Sequence, residues 1–284
     1  MESSPFGRGL RHWRRLRGVS QLELATTAAT TTRHVSYLET GRSRPSRVMV
    51  ERLGDALHVP LRERNRLLEM AGLAATYPEG DLAADDLAPF QRVIDRLLHA
   101  HEPFPGFVVD RHWNMVEANR AAERFLAGFA ERNTVRLVLG PLRPLIENWS
   151  DVAAALLERL SADLLRFPDD EVLLELHGET RAALGAAPEQ REQRSGRVIC
   201  PRFRIDGALI RTITVAARFE SVADVTLDEV RVELVYPEDE TADRFFRDLV
   251  DRHPGVAPLG EPPTPTGGRT VQGRASQPGC ACHL

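Results

Sequence analysis

Catalytic raw material is plentiful in this 284-residue chain, with nine His and 41 acidic residues, but its spacing builds no catalytic constellation. There is no phosphate loop, nucleophile elbow or His-Glu-x-x-His pair. His99 and His101 stand two apart and so fall on different faces of a helix. Asp169, Asp170 and Glu171 follow Pro168 and read as favourable charge at a helix start. The chain is therefore expected to be no enzyme and to need no cofactor. The three cysteines are Cys200, Cys280 and Cys282. Cys280, Cys282 and His283 offer three ligands and lack the fourth of a closed zinc site, so no metal is expected either.

A different chemistry is suggested by a polar helix face near the N-terminus. Val35 and Leu38 turn one side of a segment from Thr32 to about Thr40 inward, which leaves Thr32, Arg33, Ser36 and Tyr37 pointing out. Thr31 precedes that segment as its cap. The guanidinium fork of Arg33 matches the O6/N7 acceptor pair of guanine. Arg42 and Arg44, just past the segment, are placed to grip a phosphate backbone. Glu39 is acidic and reads as a structural hydrogen-bonding residue. Charge agrees with a polyanionic partner. Residues 1–72 hold 13 Arg against seven acidic residues, the remainder 24 Arg against 34, and there is no Lys.

The elements that must position this face are five helices within residues 8–72. Leu10, Trp13, Leu16 and Val19 make the apolar stripe of the first, which Gly18 stops. Ser20 caps the second, Gln21 to about Ala28, with Leu22, Leu24 and Ala25 expected to be buried. The third follows a short turn and is closed by Gly41. Pro45-Ser46 opens a fourth with Val50, Leu53, Ala56 and Leu57 inward, and a fifth runs from about Leu61 to Ala71. Helix, tight turn, helix is the unit that lays a second helix in the major groove.

The run Ser20-Gln-Leu-Glu-Leu-Ala25, then Val35-Ser-Tyr-Leu-Glu-Thr-Gly41, Pro45-Ser46 and Leu53-Gly-Asp-Ala-Leu57 resembles the Cro/repressor-type (XRE) helix-turn-helix family over about 60 residues. The resemblance implies a lambda-repressor-like, all-α DNA-binding domain over residues 1–72, reading double-stranded DNA as a homodimer. It also implies that Gln21 reaches phosphate. The sequence departs from the family in the turn between the second and third helices, where Ala29 replaces the usual Gly. Ala in a left-handed conformation costs about 1 kcal/mol. The alternative reading of the unit is a protein-interaction module without specific DNA binding.

Residues 73–86 read as a linker and residues 87–252 as a second domain of mixed α and β elements, giving an α + β multidomain chain. Helices are expected at 87–101, from Asn119 to about Ala130, and at 149–166, 169–184 and 241–251. Strands are expected at 106–110, 113–117, 198–205, 208–219 and 229–236, with a polar loop at 185–197. Phe107, Trp113, Met115, Phe125, Thr212, Thr214 and Phe219 fall on the sheet and its first helix, where they form either plain core or the lining of an apolar cavity. Asn119 reads as a helix cap.

The order Phe107-Val-Val-Asp110, Arg111-His-Trp-Asn-Met-Val-Glu117, Asn119, then the late segments from Arg211 and Asp224, resembles the MmyB-like ligand-binding domain over about residues 88–250. That resemblance implies a PAS-like sensor fold for a small apolar ligand, with fatty acids as the family precedent. Residues 253–284, rich in Pro, Gly and Thr, read as a disordered tail. No transmembrane or signal segment is recognised, so a cytoplasmic protein without membrane contact is expected.

Overall fold

A computed structural model describes residues 4–185, 200–220 and 223–251. The expected tail at 253–284, the Cys280/Cys282 pair and nearly all of the 185–197 loop lie outside the described residues.

The N-terminal unit has its five helices in the expected order: α1 (Pro5–Leu16), α2 (Gln21–Thr27), α3 (Thr32–Glu39), α4 (Arg47–Ala56) and α5 (Leu61–Met70). Helix α1 starts earlier than its stripe suggested. The Ser4 hydroxyl accepts from the Gly7 N–H at 3.1 Å, and Pro5 takes the first position, where no donor is needed. This brings Phe6 into a filled core with Leu10, Trp13, Leu24, Val35, Leu38, Leu53 and Leu68. Helix α2 opens with a capping box in which Ser20 and Glu23 satisfy each other's backbone N–H groups. Leu22 corrects the expectation for its helix, since it faces solvent at 65% exposure while Leu24 and Ala25 alone turn inward. Ala29 holds the left-handed turn at φ 51°, as the sequence required. A Cβ at Gly7 would lie 2.6 Å from the Glu39 carbonyl oxygen, so α1 crosses the end of α3 at a distance only glycine allows.

Residues 73–80 are fastened at both ends. Asn65 of α5 bonds the backbone of Thr76 and Tyr77, and Arg47 donates to the Ala74 carbonyl. Further on, Val225 N–H donates to the Pro78 carbonyl, and Thr226 exchanges hydrogen bonds with the Gly80 backbone.

The C-terminal unit is built on one antiparallel sheet. Its elements are α6 (Ala88–Ala100), β1 (Gly106–Val109), β2 (Met115–Ala118), α7 (Arg120–Phe125), α8 (Thr134–Leu139), α9 (Trp149–Arg166), α10 (Glu171–Leu184), β3 (Arg202–Ile205), β4 (Ala208–Ala217), α11 (Val225–Glu229), β5 (Arg231–Pro237) and α12 (Glu240–Asp251). The strand order is β2-β1-β5-β4-β3, with every pairing antiparallel. Helix α6 packs Ile94 and Leu98 on one face, against Val108, Val232 and Leu234. On the other face Phe125, Phe203 and Phe246 meet in a second cluster with Leu137 and Ile210.

Two elements differ from the periodicity. The helix capped by Asn119 ends at Phe125, and a separate helix, α8, starts after Asn133, whose side chain accepts from the Val135 and Arg136 N–H groups. The five-residue α11 precedes β5, capped by Asp224. Caps of this kind reset a chain within a few residues, below the window in which helical periodicity shows.

Candidate nucleic-acid interface and ligand cavity

Helix α3 presents the expected face. Thr32 and Arg33 are exposed, Ser36 and Tyr37 are half-buried, and Val35, Leu38 and Glu39 are buried. Thr31 is the cap, its hydroxyl accepting from the His34 N–H at 3.1 Å. Arg33 does not lie free. Its Nε donates to the Tyr37 hydroxyl at 2.9 Å, and its guanidinium stands 5.2 Å from the Tyr37 ring centroid. Arg42 approaches the same ring at 5.8 Å. One tyrosine therefore orients two guanidinium groups along the edge of α3. Arg44 is exposed beyond them.

Beneath this face lies one buried carboxylate. Glu39 is 1% exposed and accepts from Arg14 Nε at 2.6 Å, Arg11 Nε at 3.3 Å and Gln21 Nε2 at 2.9 Å. Burial works against its charge, but Arg14, Gln21 and Arg11 outweigh it and hold the carboxyl below its usual range. The residue thus locks α1, α2 and α3 together. Gln21, expected at a phosphate, keeps its place at the start of α2 with one amide N–H engaged by Glu39.

The second candidate site is a cavity of about 630 Å³ on the sheet face away from α6. Phe107, Trp113, Met115, Phe125, Thr212 and Thr214 all line it, together with Leu137, Val138, Leu142, Ala155, Leu156, Phe203 and Phe246. Phe219 corrects the expected set. Strand β4 ends at Ala217, and Phe219 beyond it turns to the α6 side, meeting the Phe90 ring at 5.5 Å. The Thr212 hydroxyl, a possible polar handle, is already donated to the Pro201 carbonyl at 2.7 Å. Asn119 is a cap as expected, its Oδ1 accepting from Ala122 and Gly106 N–H groups at 3.0 Å.

The cavity has a polar end that the sequence did not reveal. Glu158, Arg159 and Glu233 line it, with Arg159 paired to the buried Glu233. Arg231 donates to Glu233 at 3.1 Å and lies 3.8 Å from the Trp113 ring centroid, while Arg159 stands 4.5 Å from it. The Trp113 indole N–H donates to Asp163 at 3.0 Å. Trp113 also sits at φ 67°. Asp110 steadies this turn between β1 and β2 by accepting from the His112 and Asn114 N–H groups. The charged residues are split between α9 and β5, with Arg159 and Glu233 74 positions apart; no spacing signal links them, and this explains why sequence reasoning missed them.

The same turn points the other way into a joint between the units. Arg111 stands 3.3 Å from both Asp170 and Glu229, and His112 Nε2 lies 3.0 Å from Asp170. Glu229 also holds Arg62 of α5 at 2.7 Å, and Arg62 reaches Glu79 at 2.5 Å. Burial disfavours the Arg62 charge, but Glu229 and Glu79 raise its pKa overall. Burial likewise opposes the Asp170 charge, and His112, the Leu173 amide and Arg111 still hold it below the usual carboxylate range. Arg17, which caps the end of α1, adds a donor to the Leu165 carbonyl at 2.7 Å.

Among the described residues no cluster of side chains is arranged to hold a metal ion, and no helix is long and apolar enough to cross a membrane. The family model for a helix-turn-helix domain matches residues 5–67. The model described as the MmyB-like transcription regulator ligand binding domain matches residues 90–249. No curated protein matches the chain.

Proposed function

The chain belongs to the family of MmyB-like transcription regulators, with a ligand-binding domain behind a helix-turn-helix head, and from that premise we propose that it is a cytoplasmic homodimer whose hold on a two-half-site operator is set by a small apolar, fatty-acid-like ligand. In this reading α3 enters the major groove and Arg33 takes a guanine. Thr31, Thr32, Ser36 and Tyr37 complete the base-edge and sugar contacts, and Gln21, Arg42 and Arg44 hold phosphates. The ligand's chain lies among Phe107, Met115, Phe125 and Phe246, and Arg159 is the cation best placed to meet an anionic head. The protein is read as a switch without turnover.

The observation that carries this reading is the position of Trp113. It lines the cavity, and two residues away Arg111 shares Glu229 with Arg62 of the head. A ligand that favours one setting of the turn can thereby favour one setting of the head, in proportion to its differential affinity for the two.

The test is selection of bound duplexes from a random pool with wild type and Arg33→Ala at fixed salt, followed by titration of the winning duplex with and without a long-chain fatty acid. Expected are a two-half-site motif, loss of preference at one base position in the variant, and a change in operator affinity on adding the fatty acid. Enrichment of no sequence by wild type, with and without fatty acid, overturns the reading and leaves the protein-interaction module.

A further inference from the structure

The polar end of the cavity holds a buried donor that nothing uses. Val232 and Leu234 of β5 pack on the α6 side, so Arg231, Glu233 and Val235 turn to the cavity face. Glu233 is 5% exposed and lines the cavity. Its Oε1 accepts from two guanidinium groups. One is Arg159 Nη2, from α9, also in the lining. The other is Arg231 Nε, at 3.1 Å. Arg231 is 4% exposed, stacks on the Trp113 ring and sends Nη1 to Asp163 at 3.5 Å. Its Nη2 is buried and has no hydrogen-bond partner among the described residues. Burial holds the Arg231 guanidinium below its usual range in spite of Glu233 and Asp163. Nε and Nη2 share one edge of a guanidinium, the edge that a carboxylate takes with both oxygens. Glu233 fills half of that edge while the same oxygen also serves Arg159.

We propose that Glu233 is an internal counter-ion that keeps the ligand's place on Arg159, and that it sets the cavity's preference for an acid head. The inference rests on the fatty-acid reading above and names the residue with which the head must compete. A carboxylate at the end of an acyl chain takes Arg159 from Glu233. Glu233 then turns onto the whole Nε–Nη2 edge of Arg231. One hydrogen bond is given up, two are made, and the orphaned donor is filled. The charges agree. Arg218 lies 3.9 Å from Asp163, so Arg159, Arg218 and Arg231 face Asp163 and Glu233, and one positive charge is left for the ligand. Arg166 nearby is matched by Asp228 at 3.2 Å. Glu158, the other acid of the lining, is exposed on α9, where water and salt screen it. An alcohol head brings no charge to replace Glu233 and leaves the pairing as it stands. The exchange also reaches outward, because Arg231 stacks on Trp113, two residues from the Arg111 that shares Glu229 with the head.

The test is displacement of a neutral naphthylamine dye from the full chain by dodecanoate and by dodecanol. It is run on wild type, Glu233→Gln, Arg159→Gln and the double variant, with thermal melts to verify folding. Glu233→Gln frees Arg159 and removes a like charge, so dodecanoate should bind about 10-fold tighter while dodecanol stays within about twofold. In the Arg159→Gln background the same change should gain nothing. A second measurement leaves position 233 intact. In the guanidinium nitrogen NMR spectrum of the wild type, assigned with Arg231→Lys, dodecanoate should slow rotation of the Arg231 Nη2 group and dodecanol should not. If Glu233→Gln does not fold, this spectrum decides alone. The inference is overturned if Glu233→Gln brings dodecanoate no gain, if the gain persists without Arg159, or if both probes leave the Arg231 signal alike. The fatty-acid reading survives each of these. Failure of both probes to bind the wild type overturns the two together.

Discussion

In the head, Phe6, Leu10, Leu24, Val35, Leu38 and Leu53 interlock with almost nothing exposed, and the buried Glu39 accepts from Arg11, Arg14 and Gln21. In the sensor, an equally apolar set of side chains surrounds a cavity of about 630 Å³. The two regions use the same residue types under the same packing forces. Protein interiors normally approach the density of organic crystals, so a void of this size forfeits dispersion contacts all along its wall. The head places its apolar groups for rigidity, as a fixed template for a base edge requires. The sensor keeps apolar surface unmatched, and a ligand can supply the missing contacts.

The contrast can be broken most directly by one substitution made twice. Leu38→Ala in the head should cost about 3–5 kcal/mol, because its neighbours cannot collapse. Leu137→Ala in the cavity wall should cost about 1–2 kcal/mol less, since part of that side chain already faces empty space. Urea denaturation of the full chain measures both, and equal losses would mean that the sensor core is not hollow in solution. Next in size, Ala155→Leu fills the cavity. It should raise the sensor's melting temperature, by about 1 kcal/mol of added burial. It should also abolish fatty-acid binding in a fluorescence displacement assay. A stabilised variant that still binds would place the ligand elsewhere.

A smaller effect sharpens the head's side of the comparison. Ala29→Gly should stabilise it by about 0.5–1 kcal/mol, because glycine takes the left-handed turn without the Cβ penalty. Equal or lower stability in a thermal melt would show that the turn carries no strain. A pH dependence sharpens the sensor's side. Burial and the neighbouring Asp95 push the Glu117 carboxyl up to about 7 in the folded chain, against about 4.3 when unfolded. A raised carboxyl pKa stabilises the fold below the unfolded value and loses that contribution as pH climbs through about 7. Glu117→Gln should therefore melt higher than wild type at about pH 8, with the difference vanishing at about pH 4. Parallel melting curves across that window would remove the Asp95–Glu117 pair from the account.

The five head helices were legible because caps and glycines mark their ends. Ser20, Thr31, Ser46, Gly18, Gly41 and Gly72 all act where they stand in the sequence. Leu22 was misread because apolar type alone does not fix a side in a seven-residue helix. In the sensor, alternation placed Phe107, Thr212 and Thr214 on the cavity face, since strand period fixes sidedness. Phe219 failed for the same reason, lying past the strand end where alternation no longer binds. The joint of Arg62, Arg111, Asp170 and Glu229 was illegible. Its members lie up to 167 positions apart, and each looks like ordinary surface charge.

Glu229 sits between two guanidinium groups, one from each unit, and such a joint cannot transmit in one direction only. If occupation of the cavity changes the head's affinity for an operator by some factor, occupation of the head by an operator must change the cavity's affinity by that same factor. DNA is then itself an effector of the sensor. Molecules of this protein resting on an operator and molecules free in solution would respond to different ligand concentrations, although their cavities are built from identical residues.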